Sequence, residues 1–204
     1  MLEVGSGTGR LADALAERGA RVWGVDPSEE MLAHARANAG SSATFKRASA
    51  EALPFKDGWF DRVLFRLVVH LVDRAQAFTE TARVLAPRGR IVIATFAPES
   101  LERFWVTRFF PEVAEIDRGR FPAEQELRRE LDGAGFDRVR SRRLSQTGRL
   151  DRAEALDRIR GRYISTLRLL DEAALAEGLA RAERDLPEIV EDEGEWLVVV
   201  AHRN

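Results

Sequence analysis

The feature that most constrains the fold is Glu3-Val4-Gly5-Ser6-Gly7-Thr8-Gly9, three glycines at every second position between an apolar run and a helical repeat of Leu11, Leu15 and Ala16. A glycine loop between a strand and a helix lets the backbone approach a ligand closely, with the first N–H groups of the helix aimed at it. Taken alone, the spacing also overlaps the dinucleotide fingerprint, whose third glycine would fall at position 10. Arg10 stands there, which counts against a nicotinamide cofactor. The second element is Asp26, 17 residues past Gly9 at the end of the next β-branched run. An acid at that place accepts hydrogen bonds from ribose hydroxyls on this kind of topology. It can also simply turn the chain, with Asp26-Pro27-Ser28 capping the following helix. Beside the glycine loop, ribose binding is the expected role.

Short β-branched runs alternate with helical stretches through the first half, the pattern of a parallel sheet covered by helices. Strands are expected at 2–4, 21–25, 44–47, 62–65 and 90–96, with a helix over 74–85 closed by Pro87 and Gly89. The second half reads as a helix over 122–134, a strand over 137–144, two helical patterns between 152 and 186, and a buried last strand over 196–201. The 204 residues fit one domain, within which residues 150–190 are expected to form a helical cap.

Composition narrows the function classes. A net charge of -2 supplies no global field for nucleic acid or an anionic membrane. No apolar run approaches the ~20 residues of a spanning helix. The start has no basic segment followed by an apolar one, so a cytoplasmic protein is expected. Cysteine is absent, which removes disulfides and thiolate chemistry, and the three histidines lie far apart, so no metal site is expected. Lys46 and Lys56 are the only lysines, so nearly all of the 32 basic residues are arginine. The arginine-dense stretch 138–162 also carries Asp151, Glu154 and Asp157, which favours a salt-bridged face over an RNA surface.

Several linked motifs in residues 2–96 resemble those of the class I S-adenosylmethionine (SAM)-dependent methyltransferases, in particular the ubiquinone and menaquinone biosynthesis group. They are the glycine loop, Asp26-Pro27-Ser28-Glu29-Glu30-Met31-Leu32, Ser49-Ala50-Glu51-Ala52-Leu53-Pro54-Phe55, Phe60-Asp61, and Arg83-Val84-Leu85-Ala86-Pro87-Arg88-Gly89-Arg90. The resemblance implies an α/β, doubly wound Rossmann-like fold. Its mixed sheet would have seven strands in the order 3-2-1-4-5-7-6, with the helical insert between the last two strands. It further implies SAM as cofactor and S-adenosyl-L-homocysteine as product. Glu3 would orient the methionine amino group, and Gly5, Ser6, Gly7 and Gly9 would line the methionine and ribose. Asp26, beside Pro27, would bind the ribose and Met31 would pack by the adenine. Ser49, Ala50 and Glu51 would lie at the adenine edge, and Arg66 and Leu67 at the methionine end.

Three departures from the family pattern stand out. Ser49 replaces the aspartate that many relatives use to accept from the adenine amino group. Arg66 stands where relatives often have a small residue; it could pair with the cofactor carboxylate, pair with an acidic substrate, or point to solvent. The chain also begins inside the first strand, where relatives carry one or two helices, so the coding start is expected to lie upstream.

The cofactor brings the reactive methyl group, so the chain's expected task is to align an acceptor for in-line displacement and exclude water. A general base is needed only where the acceptor must lose a proton. The candidates are His70, past the fourth strand, and Tyr163, the only tyrosine; each also has a structural reading, and no base is assigned. His34 reads as exposed and His202 as structural. Phe104, Trp105, Phe109 and Phe110 form an aromatic cluster that either lines an apolar acceptor pocket or seats the cap. The expected acceptor is a small molecule, apolar or aromatic, and not nucleic acid. The alternative is a SAM-binding protein that senses or scaffolds without catalysis.

Overall fold

The computed structural model describes residues 1–38 and 43–204. The first half runs β1 (Leu2–Val4), α1 (Arg10–Ala16), β2 (Val22–Asp26), α2 (Glu29–Asn38), β3 (Ala43–Arg47), β4 (Phe60–Arg66), α3 (Arg74–Val84) and β5 (Leu85–Phe96). There follow α4 (Pro111–Arg120), α5 (Glu124–Gly133), β6 (Phe136–Asp151), α6 (Arg152–Arg160), α7 (Glu172–Asp185) and β7 (Ile189–Arg203). The sheet has the order β3-β2-β1-β4-β5-β7-β6, as the motif resemblance implied. β1 lies parallel to both β2 and β4, and all three of its residues are buried, Leu2 and Val4 as apolar side chains and Glu3 as a carboxylate between them.

Two stretches differ from the sequence reading. β6 and β7 are much longer than the apolar signal suggested, because most of residues 141–149 are exposed and carry no hydrophobic alternation. β5 begins at Leu85, directly after α3, and so takes in the helix stop at Pro87 and Gly89 as well as the strand expected from Arg90. Its pairing with β4 is irregular there: Phe60 pairs with Leu85, but Arg62 pairs with Arg90. The surplus residues on β5 form a bulge that holds Arg88 at φ 64.

The chain divides into two compact units, Met1–Thr95 with Ala123–Arg142 and Leu197–Asn204, and Phe96–Pro122 with Arg143–Trp196. In the first, Ala12, Val22, Leu32, Ala35 and Phe45 pack α1 and α2 against β2 and β3. The second takes in α6 and α7 of the expected insert together with Phe96–Pro122. Its core includes Trp105, Phe109 and Phe110, so these aromatics seat this unit. Gly178 on α7 lies against Phe110 so closely that a Cβ would fall 2.1 Å from the ring. Its arginines are largely ion-paired, as with Arg158–Glu154 at 2.9 Å and Arg160–Glu183 at 2.8 Å.

Candidate functional site

The glycine loop leaves β1 by folding back onto β2: the N–H groups of Gly5 and Ser6 both donate to the Val25 carbonyl, at 2.8 and 2.9 Å. Gly5 has φ 71, and a Cβ on it would meet Val68 at 2.6 Å. Gly9 has φ 79, and a Cβ there would strike the Phe45 ring at 2.7 Å. Both positions therefore need glycine for conformation and for space. Nothing lies within 4 Å of the corresponding point on Gly7, so the middle of the loop faces open space.

Asp26 ties this loop to the next helix. Its Oδ2 accepts from the Gly7 N–H and its Oδ1 from the Ser28 N–H, each at 2.9 Å. Ser28 in turn accepts from the Met31 N–H at 3.3 Å. The turn-and-cap reading of Asp26 is thus realised in the structure. It does not exhaust the carboxylate, because each oxygen has a second lone pair for a ribose hydroxyl.

Glu3 is 3% exposed in the middle of the sheet. Its carboxylate accepts from the Ala12 backbone in the first turn of α1, but Oε2 is buried without a partner. Burial pushes its pKa up to about 7, against the opposing pull of the Arg66 guanidinium. The Ser6 hydroxyl is likewise buried and unpartnered. Two buried polar atoms, three residues apart in sequence at the glycine loop, thus lack a partner within the chain.

Beside the loop lies a cleft of about 210 Å³ lined by Val4, Gly5, Asp26, Pro27, Ala48, Ser49, Ala50, Glu51, Val68, Leu71 and Val72. Six expected site residues, Gly5, Asp26, Pro27, Ser49, Ala50 and Glu51, therefore share one cavity. Glu3, Ser6, Gly7, Gly9, Met31, Arg66 and Leu67 are outside its lining. Sequence reasoning missed Ala48 and the apolar wall Val68, Leu71 and Val72; Leu71 is 54% exposed at its rim. Leu67 is one of four non-glycine residues with positive φ among the described residues, at 53. Its N–H is tied to the Ala94 carbonyl at 2.9 Å.

Residues 2–93 match a family described as a methyltransferase domain. The chain is 35% identical over 165 residues to a demethylmenaquinone methyltransferase of Thermus thermophilus, covering 67% of this chain and 73% of that protein. That match decides the family. The chain belongs to the class I SAM-dependent methyltransferases. It is also 43% identical over 91 residues to an uncharacterized methyltransferase of Mycobacterium bovis, over 45% of this chain and only 37% of that protein. A Haemonchus contortus phosphoethanolamine N-methyltransferase solved with SAM shares the fold, with a TM-score of 0.62 and 21% identity over all of this chain and 48% of that one.

The cleft of this methyltransferase is shaped by a staple that no single motif announces. Arg83 on α3 donates to the carbonyls of Phe55 (2.8 Å) and Leu53 (2.9 Å) and to Asp57 Oδ1 (2.8 Å). Its Nε donates to Glu80 Oε1 at 2.7 Å, while Glu80 Oε2 accepts from the Leu53 N–H at 2.9 Å. Hydrogen bonding to Arg83 holds the Glu80 carboxyl below its ordinary range. Glu51 Oε1 adds a bond from the Asp73 N–H at 3.0 Å. The segment bearing Ser49, Ala50 and Glu51 is thereby fixed to α3. Sequence separations of 22 to 30 residues explain why the motif spacing did not show it.

The two expected base candidates fall in different units. His70 is half-buried in the segment after β4 and is not among the cleft-lining residues. Tyr163 stacks on Trp105, with ring centroids 6.1 Å apart and planes 10° apart, under the Arg158 guanidinium at 5.9 Å. Burial, then the Asp192 carboxylate, pushes its phenol well above its ordinary pKa. It is poorly suited to take a proton near neutrality. His34 is exposed. Among the described residues no helix is long and apolar enough to cross a membrane.

Proposed function

We propose that the chain binds SAM in the cleft beside its glycine loop and transfers the methyl group to a small, apolar acceptor. The observation that carries the cofactor placement is the buried, unpartnered Oε2 of Glu3 next to a loop whose centre is open. An ammonium group such as SAM carries is the partner that carboxylate lacks. Gly5, Ser6, Gly7 and Gly9 line the methionine and ribose in this reading, and the free lone pairs of Asp26, beside Pro27, take the ribose hydroxyls. Ser49, Ala50 and Glu51, with Met31 beside them, border the adenine. Arg66 and Leu67 border the methionine end, with the Arg66 charge balancing Glu3.

SAM, when bound, supplies an electrophilic methyl on a sulfonium, so the chain needs no nucleophile of its own. Its residues hold the two reactants in one geometry and keep water away. No base is assigned at the cleft in this reading, so the most compatible acceptor is one whose attacking atom is nucleophilic without a strong protein base. Support for a small apolar acceptor comes from the similarity to the Thermus protein, whose name specifies demethylmenaquinone.

The test is transfer of labelled methyl from SAM to a panel of hydroquinones, phenols and small amines, run beside SAM titration. Methylation of a panel member that disappears in Asp26→Ala supports the proposal. Tight SAM binding with no transfer to any member would instead favour a sensing or scaffolding role.

A further inference from the structure

We propose that this methyltransferase has a second ligand site, specific for a phosphate-bearing anion, in the cavity where the start of β5, the start of β6 and the end of β7 meet. The cavity measures about 520 Å³ and is lined by Arg88, Arg90, Asp137, Arg138, His202 and Arg203 together with Asn204. β4 and β5 run parallel, and their last residues lead towards the segment carrying Val68. Arg90 stands opposite Arg62 at the other end of the regular β4–β5 pairing, which closes with Arg66 opposite Ala94, so this cavity and the cofactor cleft belong to opposite ends of the strands.

The cavity carries an excess of positive charge. Four guanidiniums stand against two carboxylates, that of Asp137, 3.8 Å from Arg138, and the terminal one of Asn204. Arg203 donates to the Leu85 carbonyl, a neutral acceptor that leaves its charge intact. Several arginines elsewhere are stapled to acids at short range, as in Arg74–Glu130 at 2.6 Å and Arg83–Glu80 at 2.7 Å. Arg90 is moreover the register partner of Arg62 on β4, two like charges directly opposite across a sheet. Burial, then the charges of Arg90 and Arg138, holds the His202 imidazole below its ordinary range, so these cations share one field.

Backbone strain points to the same place independently. Among the described residues four non-glycine positions have positive φ, and two of them, Arg88 (φ 64) and Arg138 (φ 49), line this one cavity. The left-handed conformation is unfavourable for a side chain, and such strain persists where a function requires the residue. Here it projects two arginines into a shared space from different strands. Forked guanidinium donors that outnumber the carboxylates beside them suit the oxygens of a phosphate or diphosphate.

Sodium pyrophosphate titrated calorimetrically into the full chain at constant ionic strength tests the site. A free phosphate and a phospholipid headgroup present the same chemistry, so vesicles of phosphatidylcholine with and without phosphatidic acid form a second arm. Saturable pyrophosphate binding without vesicle binding assigns the site to a free phosphate compound. Binding to the acidic vesicles alone, competed by pyrophosphate, assigns it to a headgroup. Arg88→Gly should weaken either interaction about tenfold or more, the loss of one or two charge-assisted hydrogen bonds. The same substitution should raise Tm, because glycine relieves the positive φ, so weaker binding could not be ascribed to misfolding. Arg90→Ala should weaken binding similarly, while Arg149→Ala, an exposed arginine paired with Glu191, should not. No saturable binding in either arm, or unchanged affinity in both Arg88→Gly and Arg90→Ala, would overturn the proposal.

Discussion

At the scale of single residues the most informative group is Glu3. Its folded pKa lies near 7, above its ordinary value of 4.5, with burial the principal cause. Between those values the folded chain keeps a proton that the unfolded chain has lost, so stability falls as pH rises through this window. The loss amounts to as much as ~3 kcal/mol, and Glu3→Gln should flatten the slope in denaturant titrations between pH 4.5 and 7. A bound cation beside Oε2 favours the ionised form instead. SAM binding near pH 6 should therefore release a proton, and its affinity should rise with pH until about 7. Calorimetry in two buffers of different ionisation enthalpy reads that proton, and the release should be absent in Glu3→Gln.

At the scale of elements the site depends on how loops are fastened to strands and helices. Gly5→Ala places a methyl against Val68 and forces φ 71 on a side chain, a cost of about 1–2 kcal/mol for the backbone alone. Val68→Ala in the same chain should recover only the part of the steric cost due to the Cγ2 contact, because the residue 68 Cβ stays 2.9 Å away, and none of the conformational part, a split that urea denaturation of the single and double variants resolves. Arg83→Ala leaves two carbonyls and Glu80 short of a donor, and should destabilise by about 1–3 kcal/mol. It should also raise the KM for SAM more than it lowers kcat, since the staple shapes the cleft. The glycine loop and Asp26 were legible because their chemistry is local and contiguous in sequence. The Arg83 staple was not, because its partners lie up to 30 residues away. Residues 98–108 escaped prediction for another reason: they form 3-10 turns, which carry no 3.6-residue period.

At the scale of the molecule the inner strands were legible because a buried parallel sheet writes its strands largely as apolar runs, while their order came from the family resemblance alone. The outer parts of β6 and β7 are solvent-facing and arginine-rich, and give no such signal. The second unit rests on a core of aromatics and aliphatics around Phe110, which is fully buried. Phe110→Ala should cost about 3–5 kcal/mol of stability. Ligand binding to the folded chain alone should raise Tm with SAM concentration, following mass action.

The most direct test of the cofactor assignment is calorimetric titration of SAM into the chain and into Asp26→Ala. One-site binding weakened roughly a hundredfold in the variant is predicted, from loss of the ribose contacts and of the Gly7 and Ser28 tethers. Equal affinity in the two proteins would contradict the placement of SAM beside the glycine loop.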